Sequence, residues 1–224
     1  MATSSDFPTL AAALAFALRV PGDSPYLHQR SAEGSFTSLS YSQIADESAL
    51  LSAGLLASGL PRRACVAIAS ENRAEWLVAD FACAFGDFLN VGVHLEWPPD
   101  KLRDVLEGAT SSTRSDLNNN NTAPSPPPPL CILASSSGAR AISEAVAGLS
   151  TRPMLLVVMP DGKEEAGPDS AARGCSAELE AAGWVSWTSL IESGRQPGSR
   201  THTGYGLRRA AAKKDTAGDD DASL

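Results

Sequence analysis

Aromatic residues are scarce, at 6% of the chain, so a buried core has to be assembled mainly from Ala, Leu and Val. Cysteines are few and far apart: Cys65, Cys83, Cys131 and Cys175 form no Cys-x-x-Cys pair. That spacing excludes a zinc knuckle and a dense disulfide framework, and the four thiols read as small buried hydrophobes of a reducing compartment. The three histidines, His28, His94 and His202, have no metal-ligand spacing either. Basic charge is in deficit, with 18 Lys and Arg against 26 Asp and Glu for a formal net charge of -8. A nucleic-acid binder with a basic face and a polybasic membrane anchor are both excluded on that ground. No apolar run approaches the length a bilayer requires, so no transmembrane segment is expected. Leu10 to Leu18 has the length of a signal-peptide core. It lacks a basic lead, carries Asp6 upstream and runs into Arg19 and Pro21, which predicts a soluble helix and a cytoplasmic chain.

What is present is a globular amount of apolar residue, 43% of 224 positions, enough for a sizeable core. Pro25 to Arg30 and Ser35 to Leu39 flank Glu33-Gly34 and predict a hairpin. Ser40-Tyr41-Ser42-Gln43 is a capping box opening a helix with Ile44, Leu51 and Leu55 on one face, closed by Gly59 as a left-handed cap. Cys65 to Ala69 is a continuous small apolar run, the mark of a strand buried on both faces. Asn72-Arg73-Ala74-Glu75 predicts a second helix start, and the helix through Phe85 is apolar nearly all round. Phe88 to Leu95 is a second strand candidate. Pro98-Pro99 opens a third helix whose inner face is Leu102, Val105, Leu106 and Ala109. This strand–helix rhythm predicts an α/β fold with a largely parallel sheet flanked by helices.

The rhythm breaks at Ser111. Residues 111–129 hold four consecutive asparagines and four consecutive prolines, a composition that predicts a disordered insertion. Asn120-Asn121-Thr122 fits a glycosylation sequon, expected to be unused without a secretory signal. Leu130 to Ala134 resumes as a third strand, followed by a helix bearing Ile142, Val146 and Leu149. Met154 to Met159 is a fourth strand and Trp184 to Trp187 a short fifth. Asp161 to Arg173 and Glu192 to Ala222 read as polar loop. The organisation is therefore 1–109, an insertion at 110–129, a continuation at 130–194, and a linker at 195–224.

Few motifs carry chemistry. Ser135-Ser136-Ser137-Gly138-Ala139-Arg140 joins a strand to a helix and could seat an anion on its amides. It lacks the further glycines and lysine of a phosphate loop, and Ser137 is expected only to cap the helix. Gly194 to Thr201 is one position short for such a loop, has arginine for lysine and no strand before it. Gly-x-Ser-x-Gly and Gly-x-Gly-x-x-Gly are absent. His94 and Glu96, two apart on a predicted strand, would share a face and offer a general acid and base. Packing and hydrogen bonding compete for that histidine. Asp80 is expected to pair with Arg73 or a neighbouring strand, and Trp76 and Trp97 are read as core. No residue is assigned a catalytic, cofactor-binding or metal-binding role.

Several stretches resemble one family in order and spacing. Ser35 to Ile44, Leu51 to Leu60 and Cys65 to Ile68 are similar to the opening of adenylate-forming acyl-activating enzymes. Glu71-Asn72-Arg73-Ala74-Glu75-Trp76 resembles their asparagine-x-x-glutamate-tryptophan signature as acyl-CoA synthetases carry it. Phe81 to Gly86, Pro98 to Ala109 and Trp184 to Gly194 are similar to later stretches. Two departures stand out: Asn90-Val91-Gly92-Val93-His94 lacks the family's proline, and 111–129 is inserted. The resemblance implies the incomplete N-terminal portion of that fold. In a full-length relative it implies an ATP-dependent ligase that uses ATP, Mg and coenzyme A, turning a carboxylic acid, a fatty acid by flavour, into acyl-adenylate and then acyl-CoA. Asp219 to Leu224 look like the lead-in to the family's phosphate loop, so this segment is expected to bind none of those cofactors and to be inactive alone. A noncatalytic interaction module on half the fold, with an exposed sheet edge and an uncovered apolar face, and an unrelated flavodoxin-like binding domain are the alternatives.

Overall fold

The computed structural model describes residues 9–19, 22–30, 34–111, 128–160 and 177–196. The asparagine- and proline-rich stretch from 112 to 127, the sequon, the predicted loop from Asp161, Cys175, His202 and the terminal lead-in lie outside the described residues.

Helix α1 (Leu10–Arg19) precedes an antiparallel hairpin of β1 (Pro25–Arg30) and β2 (Phe36–Ser40). Ser40 then starts α2 (Tyr41–Ala57) through the predicted capping box. Its hydroxyl accepts from the Gln43 N–H at 3.2 Å, and the Gln43 side chain accepts from the Ser40 N–H at 2.8 Å. At the far end Gly59 adopts φ +86°, its N–H reaching the Leu56 carbonyl while the Leu60 N–H reaches that of Leu55. Those two bonds satisfy carbonyls the helix leaves open, as a left-handed glycine cap does.

Strands β3 (Cys65–Ala69), β4 (Leu89–Gly92), β5 (Leu130–Ala134), β6 (Leu155–Val158) and β7 (Trp184–Ser186) form one parallel sheet in the order β4-β3-β5-β6-β7. The helices between them are α3 (Ala74–Gly86), α4 (Pro99–Thr110), α5 (Ser136–Ala147) and α6 (Ala177–Ala181), and α7 (Trp187–Gly194) follows β7. Side-chain alternation explains why β3 and β5 are apolar at every position. Val66, Ile68, Cys131 and Leu133 face a layer built by α2, α3 and α7, while Ala67, Ala69, Ile132 and Ala134 face α4, α5 and α6.

Both faces are thus covered, which corrects the expectation of an uncovered apolar face. Helix α7 supplies Trp187, Leu190 and Ile191 to the first layer and α6 supplies Leu179 to the second. The first three residues of the predicted polar loop, Glu192 to Gly194, therefore belong to a helix, and the fifth strand stops at Ser186 because Ser186 caps that helix by accepting from the Ser189 N–H. The second strand is also shorter than Phe88 to Leu95. Only Leu89 to Gly92 pair with β3, and the chain turns at Leu95. Among the described residues no helix is long and apolar enough to cross a membrane.

Glu47 carries a charge into the seam between α2 and α7. Burial pushes its carboxyl above the usual range and nearby Glu75 adds to this; the Trp187 indole N–H, which donates at 3.3 Å, and Arg195 oppose it. A folded-state value raised this way means the protein gains stability as pH falls and loses it as pH rises through the folded value. Glu47→Gln keeps an acceptor for Trp187 without the charge. Its thermal midpoint is expected to exceed the parent's at pH 7 and to match it near pH 3, where Glu47 is neutral in both states. An unchanged midpoint at pH 7 counts against the burial penalty.

Candidate functional site

In a parallel sheet ligands bind beyond the carboxyl ends of the strands, where neighbouring connections diverge. Here that place lies between β3 and β5. The connection from β3 leads through α3 to β4 on one side, whereas the connection from β5 leads through α5 to β6 on the other.

Glu71, two residues past β3, fills this crevice. Its Oε2 accepts from the Ser135 hydroxyl at 2.7 Å and from the Ser137 hydroxyl at 3.2 Å. Ser135, not the expected Ser137, is the N-cap of α5, accepting from the Gly138 N–H at 3.0 Å. Gly138 is required for this docking, because a Cβ there would lie 2.0 Å from the Ala69 carbonyl oxygen. Arg73 braces the other side. It donates to Glu75 Oε2 at 2.7 Å, lies 3.4 Å from Glu71 Oε1, and reaches the Pro160 carbonyl. Partial burial pushes the Glu71 carboxyl up. Hydrogen bonds from Ser135, its own backbone and Ser137, with the Arg73 charge, outweigh that and hold it below the ordinary carboxylate range. The anion at the start of α5 is therefore the protein's own carboxylate. Two hydroxyls of the conceivable phosphate seat at Ser135 to Arg140 are thereby engaged by Glu71.

Beside this crevice a cleft of about 680 Å³ opens between the loop after β3 and the loop after β4. Ser70, Glu71 and Asn72 line one side, and Val93 to Trp97 the other, with Trp76 between them. His94 and Glu96 both border it, but not as neighbours on a strand face, since β4 ends at Gly92. The His94 ring instead stacks on Trp97, centroids 5.6 Å apart at 25°. Trp76 and Trp97, expected in the core, pack against it partly buried and also wall this cleft. Asp80 accepts from the Asn90 side chain on β4, the neighbouring-strand partner expected of it.

A second cleft, about 490 Å³, lies between β1 and the start of α3. Arg73, not Asn72, is the N-cap of α3, and its side chain makes no cap bond. The Ala74 N–H donates instead to Gln29 Oε1 at 2.7 Å, a cap supplied by the hairpin from 45 residues away. Gly194, first residue of the second loop-like motif, belongs to α7 and packs on α2; the motif from residue 197 lies outside the described residues.

The larger cleft does not offer the cationic donors or clustered ligands that ATP, magnesium or coenzyme A would need. No lysine or arginine lines the larger cleft, the α5 start is occupied by Glu71, and no three His, Cys, Asp or Glu side chains among the described residues converge as metal ligands. Glu71 and Gln29 were not singled out from sequence. For the first, the available signals were an acid two residues past a doubly buried strand and its place at the head of the Glu71 to Trp76 signature.

The fold defines the class. The adenylation domain of a Mycobacterium chelonae carboxylate reductase superposes with TM-score 0.61 at 18% identity, covering 88% of this chain and 31% of that one. A red-emitting luciferase from Phrixothrix hirtus gives 0.61 at 14% identity, covering 87% and 40%. This is the N-terminal part of the adenylate-forming α/β fold. The sequence profile of the AMP-binding enzyme family matches residues 15–135, more than half of the chain, and the protein belongs to that family. Peroxisomal long chain acyl-CoA synthetase 7 of Arabidopsis thaliana is 34% identical over 76 residues, which is 34% of this chain and 11% of that protein. The chain thus spans well under half the length of these relatives.

Proposed function

We propose that this chain is the N-terminal segment of an ATP-dependent acid–thiol ligase that activates a fatty acid as acyl-adenylate and passes it to coenzyme A. The family match through residues 15–135 carries the reading, and the long chain acyl-CoA synthetase similarity supports the fatty acid. In this reading residues 1–109 and 130–194 make one α/β subdomain around the insertion at 110–129. Residues 195–224 lead toward the phosphate loop, and the segment holds no catalytic group and is inactive alone. Cys65, Cys83 and Cys131 are buried and form no disulfide among the described residues, which fits the reducing, cytoplasmic setting of this reading.

A second reading, a noncatalytic module on the same fold, draws support from the helices that cover both sheet faces. Sequencing the transcript past the Leu224 codon separates the two. The ligase reading expects an open frame running into a Ser/Thr-Gly-rich loop and a lysine, whose full product forms acyl-CoA from palmitate, ATP and coenzyme A. A stop at Leu224 with a cooperatively folded, inert product favours the module. A full product that activates benzoate and not palmitate overturns the fatty acid.

A further inference from the structure

We propose that the cleft beyond β3 and β4 is a binding site for an organic cation, an amine carrying a flat apolar group. This goes beyond the ligase reading and does not rest on it, since the ligands of that reaction are anions. The volume, about 680 Å³, suits a small organic molecule. Its apolar walls are Trp76, Trp97, Val93 and Leu95, with indole faces that attract positive charge.

The polar groups on the cleft are acceptor-rich and acidic. Glu71 is held ionised by Ser135 and Ser137, Asn72 lies beside it, and Glu96 stands exposed on the opposite rim. No lysine or arginine is among the lining residues. Arg73, the partner of Glu71, borders the hairpin cleft instead and is committed to Glu75 and the Pro160 carbonyl. An anion entering the larger cleft would meet two carboxylates, Glu71 and Glu96, with Arg73 against Glu71 and Lys101 over Trp97 as the cations at its margins. A cation would meet two carboxylates and aromatic faces. At the Trp97 wall the protein already places a cation, the Lys101 ammonium 5.6 Å from the ring centroid, and His94 stacks on the same indole, so the aromatic contact proposed for a ligand cation is with Trp76.

The test titrates the full 224-residue chain with phenethylammonium and with phenylacetate, molecules of similar shape and opposite charge, followed by tryptophan fluorescence and calorimetry. Saturable binding of the ammonium is expected, with phenylacetate at least about tenfold weaker. Glu96→Gln, an exposed change that leaves the core alone, is expected to weaken the ammonium about fivefold and to leave the residual phenylacetate signal unchanged or stronger. Trp76→Ala is expected to abolish saturation while circular dichroism stays as in the parent. Equal or tighter phenylacetate binding, absence of saturable ammonium binding, or an affinity indifferent to Glu96→Gln overturns the proposal.

Discussion

Gly54→Ala is expected to destabilise the protein by about 3 kcal/mol, at the upper end of what overpacking a core costs. A Cβ at Gly54 would sit 2.0 Å from the Leu190 carbonyl oxygen and 2.7 Å from its carbonyl carbon. Gly194 stands in the reciprocal position, with a Cβ 2.1 Å from the Leu50 carbonyl oxygen. Both obstacles are backbone, so no rotamer change relieves them. Helices α2 and α7 would have to move apart, withdrawing Trp187, Leu190 and Ile191 from the layer they share with Val66, Ile68 and Leu133. Gly108→Ala is the internal comparison. Nothing lies within 4 Å of the Cβ there, and the position is exposed on α4. Replacing an unneeded helical glycine is expected to stabilise by about 0.5–1 kcal/mol. Urea unfolding followed by circular dichroism decides it: Gly54→Ala should lower the midpoint and Gly108→Ala raise it, both with unchanged slope. Shifts of the same sign would mean that the α2–α7 approach is not close.

That same seam shows what can be read from a sequence and what cannot. The capping box at Ser40, the glycine cap at Gly59 and the doubly buried strands β3 and β5 were legible because each is set by residues within a few positions of one another. Helix α7 was not read as a helix, the expectation running from a strand through Trp187 to polar loop from Glu192. Trp187, Leu190, Ile191 and Gly194 recur at helical spacing, but the glycine-rich polar run beyond Glu192 obscured where the stripe ends. The start of α3 misled for a different reason. Asn72 is a good capping residue by type, yet the cap bond comes from Gln29 on the hairpin, a partner that tertiary placement alone supplies. The crevice was less legible still, since Glu71 and Ser135 are 64 residues apart. Nothing local distinguishes an acid that seats itself at a distant helix start from an acid facing water. His94 and Glu96 reached the same cleft for a reason the period-two argument missed, namely that β4 is only four residues long.

Scarce aromatics make each buried ring consequential, and Phe85→Ala is expected to cost about 3–5 kcal/mol. Phe85 is fully buried on α3, facing Ala11, Ala15 and Leu18 of α1 and Ala45 and Ala49 of α2. Four of those five neighbours are alanines, so Phe85 is the one large ring fully buried between the three helices, with Leu14, Tyr26, Tyr41 and Phe81 packed around the cluster partly buried. Small neighbours fixed to helical backbone cannot reach into the space it leaves, so the cavity persists and its surface adds to the lost burial. Phe85→Leu restores most of the volume and is expected to cost less than about 1.5 kcal/mol. The damage should also be uneven. Helix α1 meets the rest of the fold through α2 and α3, whereas β3, β5 and α5 are held by other side chains. Amide exchange in Phe85→Ala is therefore expected to accelerate throughout α1 well before it does in β3 and β5. Uniform acceleration across α1 and the sheet would refute the separate attachment, because it would make Phe85 part of one cooperative core rather than the anchor of a single helix.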